Sequence, residues 1–227
     1  MNKSLILLAS ALALAARADV RLYNGHADIG VGYHDGHLDL HVHQELPEEA
    51  EYAPGDVTFV VGDAAKALSP GGIFAPALGS AGSPIWVLPT SPNPDLPFIG
   101  FGTEELDPAD WLGNITLSLS GFSGPGNMAI WNIGSFGSPN LVVDSTRGTG
   151  PLNSMLLLPG NHTHYNIGFT QPGRYEVSFD ALGTHAPTQL AVMGSGTYCF
   201  EVVPEPSTYA LMGVGAAAVL WSVRRRR

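Results

Sequence analysis

Cysteine is almost missing from this 227-residue chain: Cys199 stands alone. No internal disulfide can form, so the fold must be held by its core; Cys199 itself, in a strand-like run, is expected to be buried. Basic residues are nearly as scarce. Between Asp19 and Val203 there are only Arg21, Lys66, Arg147 and Arg174 against nineteen carboxylates, a formal charge near −15. A field of that sign repels nucleic acid and anionic lipid and gathers cations, which excludes nucleic acid as a partner. Helix-period runs are missing as well. So are the usual marks of an enzyme. No Gly-x-Ser-x-Gly elbow occurs, and Gly121–Gly126 lacks the lysine and helix of a phosphate cradle. Glu104 and Glu105 point to opposite faces if extended, which argues against a glycosidase pair.

What is present is β punctuation. The 28 glycines and 18 prolines separate short alternating stretches. His37-Leu38-Asp39-Leu40-His41-Val42-His43 alternates strictly and follows Asp35-Gly36, a type I′ hairpin signal, with Ala27–Tyr33 as the partner strand. Further strands are predicted at 57–61, 85–88, 114–119, 128–131, 141–143, 155–158, 165–169, 175–182 and 198–202. The expected fold is all-β, a single sandwich or barrel-like domain of short antiparallel strands. Pro47–Gly82 reads as the longest insertion, with one helical turn near Asp63–Leu68. Trp86, Trp111 and Trp131 are expected in the core, although such rings also stack on sugars.

Long apolar runs are confined to the ends. Lys3, the apolar stretch Leu5–Ala16 and the small residues of Ala16-Arg17-Ala18 form a signal peptide over 1–18, read by the Sec translocon and signal peptidase. A β-rich domain is expected over 19–202. At the other end Val203-Pro204-Glu205-Pro206 precedes an apolar helix-length run, Tyr209–Val223, and then Arg224–Arg227. Fifteen apolar residues fall short of the ~20 needed to span a bilayer comfortably, and the arginines would hold the run on the cytoplasmic side. This layout resembles the PEP-CTERM sorting signal of Gram-negative bacteria over residues 203–227. The resemblance implies export, transient anchoring in the inner membrane by the C-terminal helix, removal of the tail by an exosortase, and delivery to the envelope, the surface or the exopolysaccharide matrix.

Histidine placement is the sharpest feature between these addresses. Five of eight histidines lie between His26 and His43, and two more form His162-Thr163-His164. Residues i and i+2 of a strand share a face, so His41 and His43 form one same-face pair and His162 and His164 another. Two such pairs on neighbouring strands offer four imidazoles to one ion, a set that suits zinc and that copper or nickel would also accept. His26-Ala27-Asp28 supplies further candidate ligands, and Asp39 can orient an imidazole. His34, His37 and His185 read as surface or hydrogen-bonded residues. Four protein ligands would close the site, favouring storage, delivery or structure over catalysis.

Several segments carry a second resemblance: His26–Gly30, Asp39–His43, Leu96–Leu106, Ser123–Gly126 and His162–Val177, the last containing His-Thr-His and Phe-Thr-Gln-Pro-Gly-Arg-Tyr. Together, across most of residues 24–180, they are similar to the choice-of-anchor M domain and to surface-anchored repeats of actinobacterial wall proteins encoded near metal transporters. Relatives with this tail type are the zinc-regulator-repressed PEP-CTERM proteins. The resemblance implies zinc capture outside the cell under zinc limitation, with a metal transporter or exopolysaccharide as partner. Position 168 is Gly where that pattern expects Ala, and 167 is Ile where it expects Trp. The expectation is an exported, non-enzymatic zinc-binding surface protein; the alternatives are a carbohydrate-interacting matrix protein and a zinc metallohydrolase.

Overall fold

The computed structural model describes residues 20–203. The signal peptide expected over 1–18, Pro204, Glu205 and Pro206 of the sorting motif, the run 209–223 and the arginines 224–227 lie outside the described residues. In chain order the first strands are β1 (Val20–Leu22), β2 (Gly25–His34), β3 (His37–Gln44), β4 (Ala50–Tyr52), β5 (Val57–Val61) and β6 (Lys66–Leu68). A short helix α1 (Ala75–Leu78) precedes β7 (Pro84–Leu88), β8 (Pro97–Gly102), β9 (Ile115–Ser123), β10 (Met128–Ile133) and β11 (Pro139–Asp144). The last described strands are β12 (Ser154–Leu157), β13 (His162–His164), β14 (Asn166–Phe169), β15 (Gly173–His185) and β16 (Leu190–Val202).

These strands form three open sheets, ordered β1-β5-β16-β15-β9-β12, β11-β10-β14-β7-β6 and β13-β8-β2-β3-β4. The sheets share one core, to which they contribute Phe59 and Phe179, Ile130 and Phe169, and Ile29 and Phe101 respectively. Each such side chain adds about 1.5–3 kcal/mol on burial. The all-β expectation holds in its sandwich form; among the described residues no barrel closes. Two details differ. β15 and β16 run for 13 residues each, and β1–β5, β5–β16 and β2–β8 pair in parallel. Alternation decides which face a residue occupies, not which strand lies alongside, so parallel pairs joined by long excursions leave no local signal.

Residues 47–82 hold more structure than an insertion: β4, β5, β6 and α1, with the helical turn confined to Asp63–Ala65. The segment around α1 covers the second sheet. In β10, Met128 and Ile130 face the main core, whereas Ala129 and Trp131 join Phe74, Ala77, Leu78 and Ile85 in a smaller one. Gly168 belongs to that packing, because a Cβ there would come within 2.8 Å of the Trp131 ring.

The hairpin joining β2 to β3 turns at Asp35 and Gly36, both with positive φ (49° and 84°), as the type I′ signal requires. Beneath β3 runs β16. A side chain at Gly194 would strike the Leu38 carbonyl, and the buried Tyr198 hydroxyl donates to the His41 carbonyl at 3.3 Å. The strand carrying His41 and His43 is thereby fixed to the first sheet.

Candidate metal centre

The outer face of the third sheet is a tray floored with glycine. Register places His164, Gly100, Asp28, His43 and Glu51 in one row across β13, β8, β2, β3 and β4. The next row reads His162, Gly102, Gly30 and His41. The glycines are not interchangeable with larger residues. A Cβ on Gly100 would run into Asp28 Oδ1, and one on Gly30 into the His41 ring. The missing side chains are the space in which the histidines and Asp28 lie.

Three imidazoles converge at one end of this tray. His164 Nδ1 lies 3.0 Å from the Ile99 carbonyl oxygen. A carbonyl only accepts, so Nδ1 carries the proton and Nε2 keeps its lone pair. His162 Nδ1 donates to Glu104 Oε1 at 3.0 Å, and His26 Nδ1 to Glu45 Oε2 at 2.7 Å; in the neutral ring each leaves Nε2 bare. Glu45 is held there by its own backbone N–H, which donates to the His26 carbonyl at 3.0 Å. The bare nitrogens face one another. His162 Nε2 is 3.2 Å from His164 Nε2, and His26 Nε2 is 3.2 Å from Asp28 Oδ1. His26 Nε2 and Asp28 Oδ1 are both buried without a hydrogen-bond partner.

Lone pairs aimed at lone pairs repel unless a proton or a cation lies between them. Ligand atoms of His26, His162 and His164 all fall within 4.8 Å of one another, and those of Asp28, Glu104 and His162 do likewise. A tetrahedral ion with ligands at about 2.0–2.1 Å has ligand–ligand edges of roughly 3.3 Å. The two 3.2 Å separations match that edge. Each imidazole also donates its other N–H to a carboxylate or carbonyl, the outer-shell arrangement that orients metal-binding histidine. Burial pushes the pKa of Asp28 upward, against the pull of His26 and His162. Burial also lowers His164, while the hydrogen bond to Glu104 raises His162.

The structure thus groups the predicted residues differently from their pairing in sequence. His162 and His164 meet His26 and Asp28, not His41 and His43. The latter pair sits on β3, three strand spacings from β13, or roughly 14 Å at about 4.8 Å per spacing. His41 instead places Nε2 3.0 Å from Glu105 Oε1. A hollow of about 200 Å³ lined by Asp28, His41, His43, Glu104 and Glu105 separates the groups. Sequence reasoning missed Glu45, Glu104 and Glu105 as partners of these histidines. The available signal was Gly30-Val31-Gly32 and Gly100-Phe101-Gly102, two same-face glycine pairs that clear room for large polar groups. His34 and His37 are exposed, and His185 hydrogen-bonds Thr188 at 3.1 Å. Trp86, Trp111, Trp131 and Cys199 are buried.

Comparison with known families finds a PEP-CTERM protein-sorting motif over residues 202–227. The chain carries a PEP-CTERM tail. It is therefore an exported protein, sorted to the cell envelope or surface and processed by an exosortase during export. The match begins where β16 ends, at Val202. No curated protein and no solved structure matches the chain. Among the described residues no helix is long and apolar enough to cross a membrane.

Proposed function

We propose that this PEP-CTERM protein binds a first-row divalent cation, zinc above others, through His26, Asp28, His162 and His164. The observation that carries this reading is the 3.2 Å approach of two imidazole nitrogens, His162 Nε2 and His164 Nε2, whose rings are each anchored through Nδ1, to Glu104 and to the Ile99 carbonyl respectively. Three nitrogens and one carboxylate oxygen suit zinc by donor type and number. Four protein ligands leave no open position for a catalytic water, which favours capture or delivery over metallohydrolase chemistry. The carbohydrate reading loses support because Trp86, Trp111 and Trp131 are buried and offer no stacking surface. The strongly acidic domain would raise cation concentration at the surface to which the tail delivers it. The likeness to the choice-of-anchor M domain supports a role in zinc acquisition under limitation, with a metal transporter as recipient, the apolar tail holding the chain at the inner membrane until it is cut.

Elemental analysis and zinc titration of the chelator-stripped chain test the site. Tight uptake of zinc is expected at this cluster, and His162→Ala/His164→Ala should abolish that tight phase. An unchanged tight phase in the variant would remove the proposal.

A further inference from the structure

A second set of ligands lies across the hollow from the first. His41 is 4 % exposed at its side chain, and its Nε2 lies 3.0 Å from Glu105 Oε1. With the ring proton on Nε2, beside the carboxylate, the Nδ1 lone pair is bare. That Nδ1 is buried without a hydrogen-bond partner. What it faces is acidic: Glu51 Oε1 is 4.0 Å away, and ligand atoms of Asp39, His41 and Glu51 all lie within 4.8 Å of one another. A separation of 4.0 Å is too long for a hydrogen bond. It falls within the roughly 4.4 Å that two ligands of one ion can span at about 2.0–2.2 Å each. Glu51 is 60 % exposed at its side chain and free to close the remaining distance. The three groups border an open cleft that also includes Tyr52, Pro54 and Ser195.

We propose that Asp39, His41 and Glu51 form a second divalent-cation site, more open and richer in oxygen than the first. One imidazole and two carboxylates suit the same first-row cations and leave positions for water, so this ion should bind more weakly and exchange faster. The site stands on His41 alone among the histidines and does not require the His26, Asp28, His162 and His164 cluster.

Zinc titration of the full chain should resolve two ions, one tight and one weak. His162→Ala/His164→Ala should lose the tight ion and keep the weak one. Asp39→Asn/Glu51→Gln, conservative changes at exposed positions, should keep the tight ion and weaken the second about tenfold or more. In the unsubstituted chain, the ¹⁵N resonance of His41 Nδ1 should move as the weak phase fills, a readout that needs no variant. Uptake of a single tight ion, or a weak phase untouched by Asp39→Asn/Glu51→Gln, would overturn the second site while leaving the first intact. So would a His41 ring protonated on both nitrogens and indifferent to zinc, held as an imidazolium between Glu105 and Glu51.

Discussion

Replacing Asp28 with asparagine should stabilise the metal-free protein and weaken its response to zinc. Asp28 is 3 % exposed, and its Oδ1 has no hydrogen-bond partner and faces the bare His26 Nε2 at 3.2 Å. Burial raises its pKa above the ordinary carboxylate value. The folded chain therefore holds this proton to higher pH than the unfolded chain does. Stability falls as pH climbs from the unfolded pKa through the folded one, and the penalty is fully present above both. A buried polar atom left unpaired costs about 1–3 kcal/mol, more if charged. Asp28→Asn removes that charge and supplies an N–H for the His26 lone pair. A gain of about 1–3 kcal/mol corresponds to a rise of roughly 2–12 °C in Tm for a domain of this size. With zinc the gap narrows. An ion at 100 times its Kd adds about 2.7 kcal/mol, and loss of the anionic ligand should weaken zinc by at least about 10- to 100-fold. Thermal melts followed by circular dichroism, with chelator and with zinc, measure both arms. A metal-free variant less stable than its parent, or an undiminished zinc shift, would refute the reasoning.

Other perturbations read the same site. Gly100→Ala should displace the Asp28 carboxylate, whose Oδ1 occupies the position of the new methyl; zinc affinity should fall about tenfold or more by titration while far-ultraviolet dichroism stays unchanged. Glu104→Gln keeps an acceptor for His162 but removes its charge, so zinc affinity should drop about tenfold without loss of stoichiometry. The pKa of His162 is raised by Glu104, so in the metal-free chain this group adds stability below its unfolded pKa and loses it as pH rises through the folded one. Zinc must displace that proton, and the zinc-induced rise in Tm should shrink between about pH 8 and about pH 6. A rise that does not depend on pH would show that His162 is not a ligand.

The strands were legible in sequence where one face is buried and the other wet. In β3, His37, Asp39, His41 and His43 alternate with Leu38, Leu40 and Val42, which are all core residues. The hairpin to β2 was legible for a local reason, the two positive-φ positions at Asp35 and Gly36. Strand β8 was not. Its Pro97-Phe98-Ile99-Gly100-Phe101-Gly102 sits next to prolines and contains two glycines, and its parallel partner β2 lies some seventy residues away in sequence. Nothing local in such a segment distinguishes a strand from a loop.

That unread strand is why the histidines pair as they do. With β8 absent from the picture, His162–His164 and His41–His43 look like neighbours; with β8 and β2 between them, they stand at opposite ends of a row. Asp28 and His26, on β2, are left as the groups within reach of β13, because Gly100 and Gly102 on β8 raise no side chain between them. Residue types suggested metal chemistry, yet which histidines come together depends on which residues are missing a side chain. Gly100→Ala is therefore the more demanding test than any histidine change, since it alters no ligand and should still disable the site.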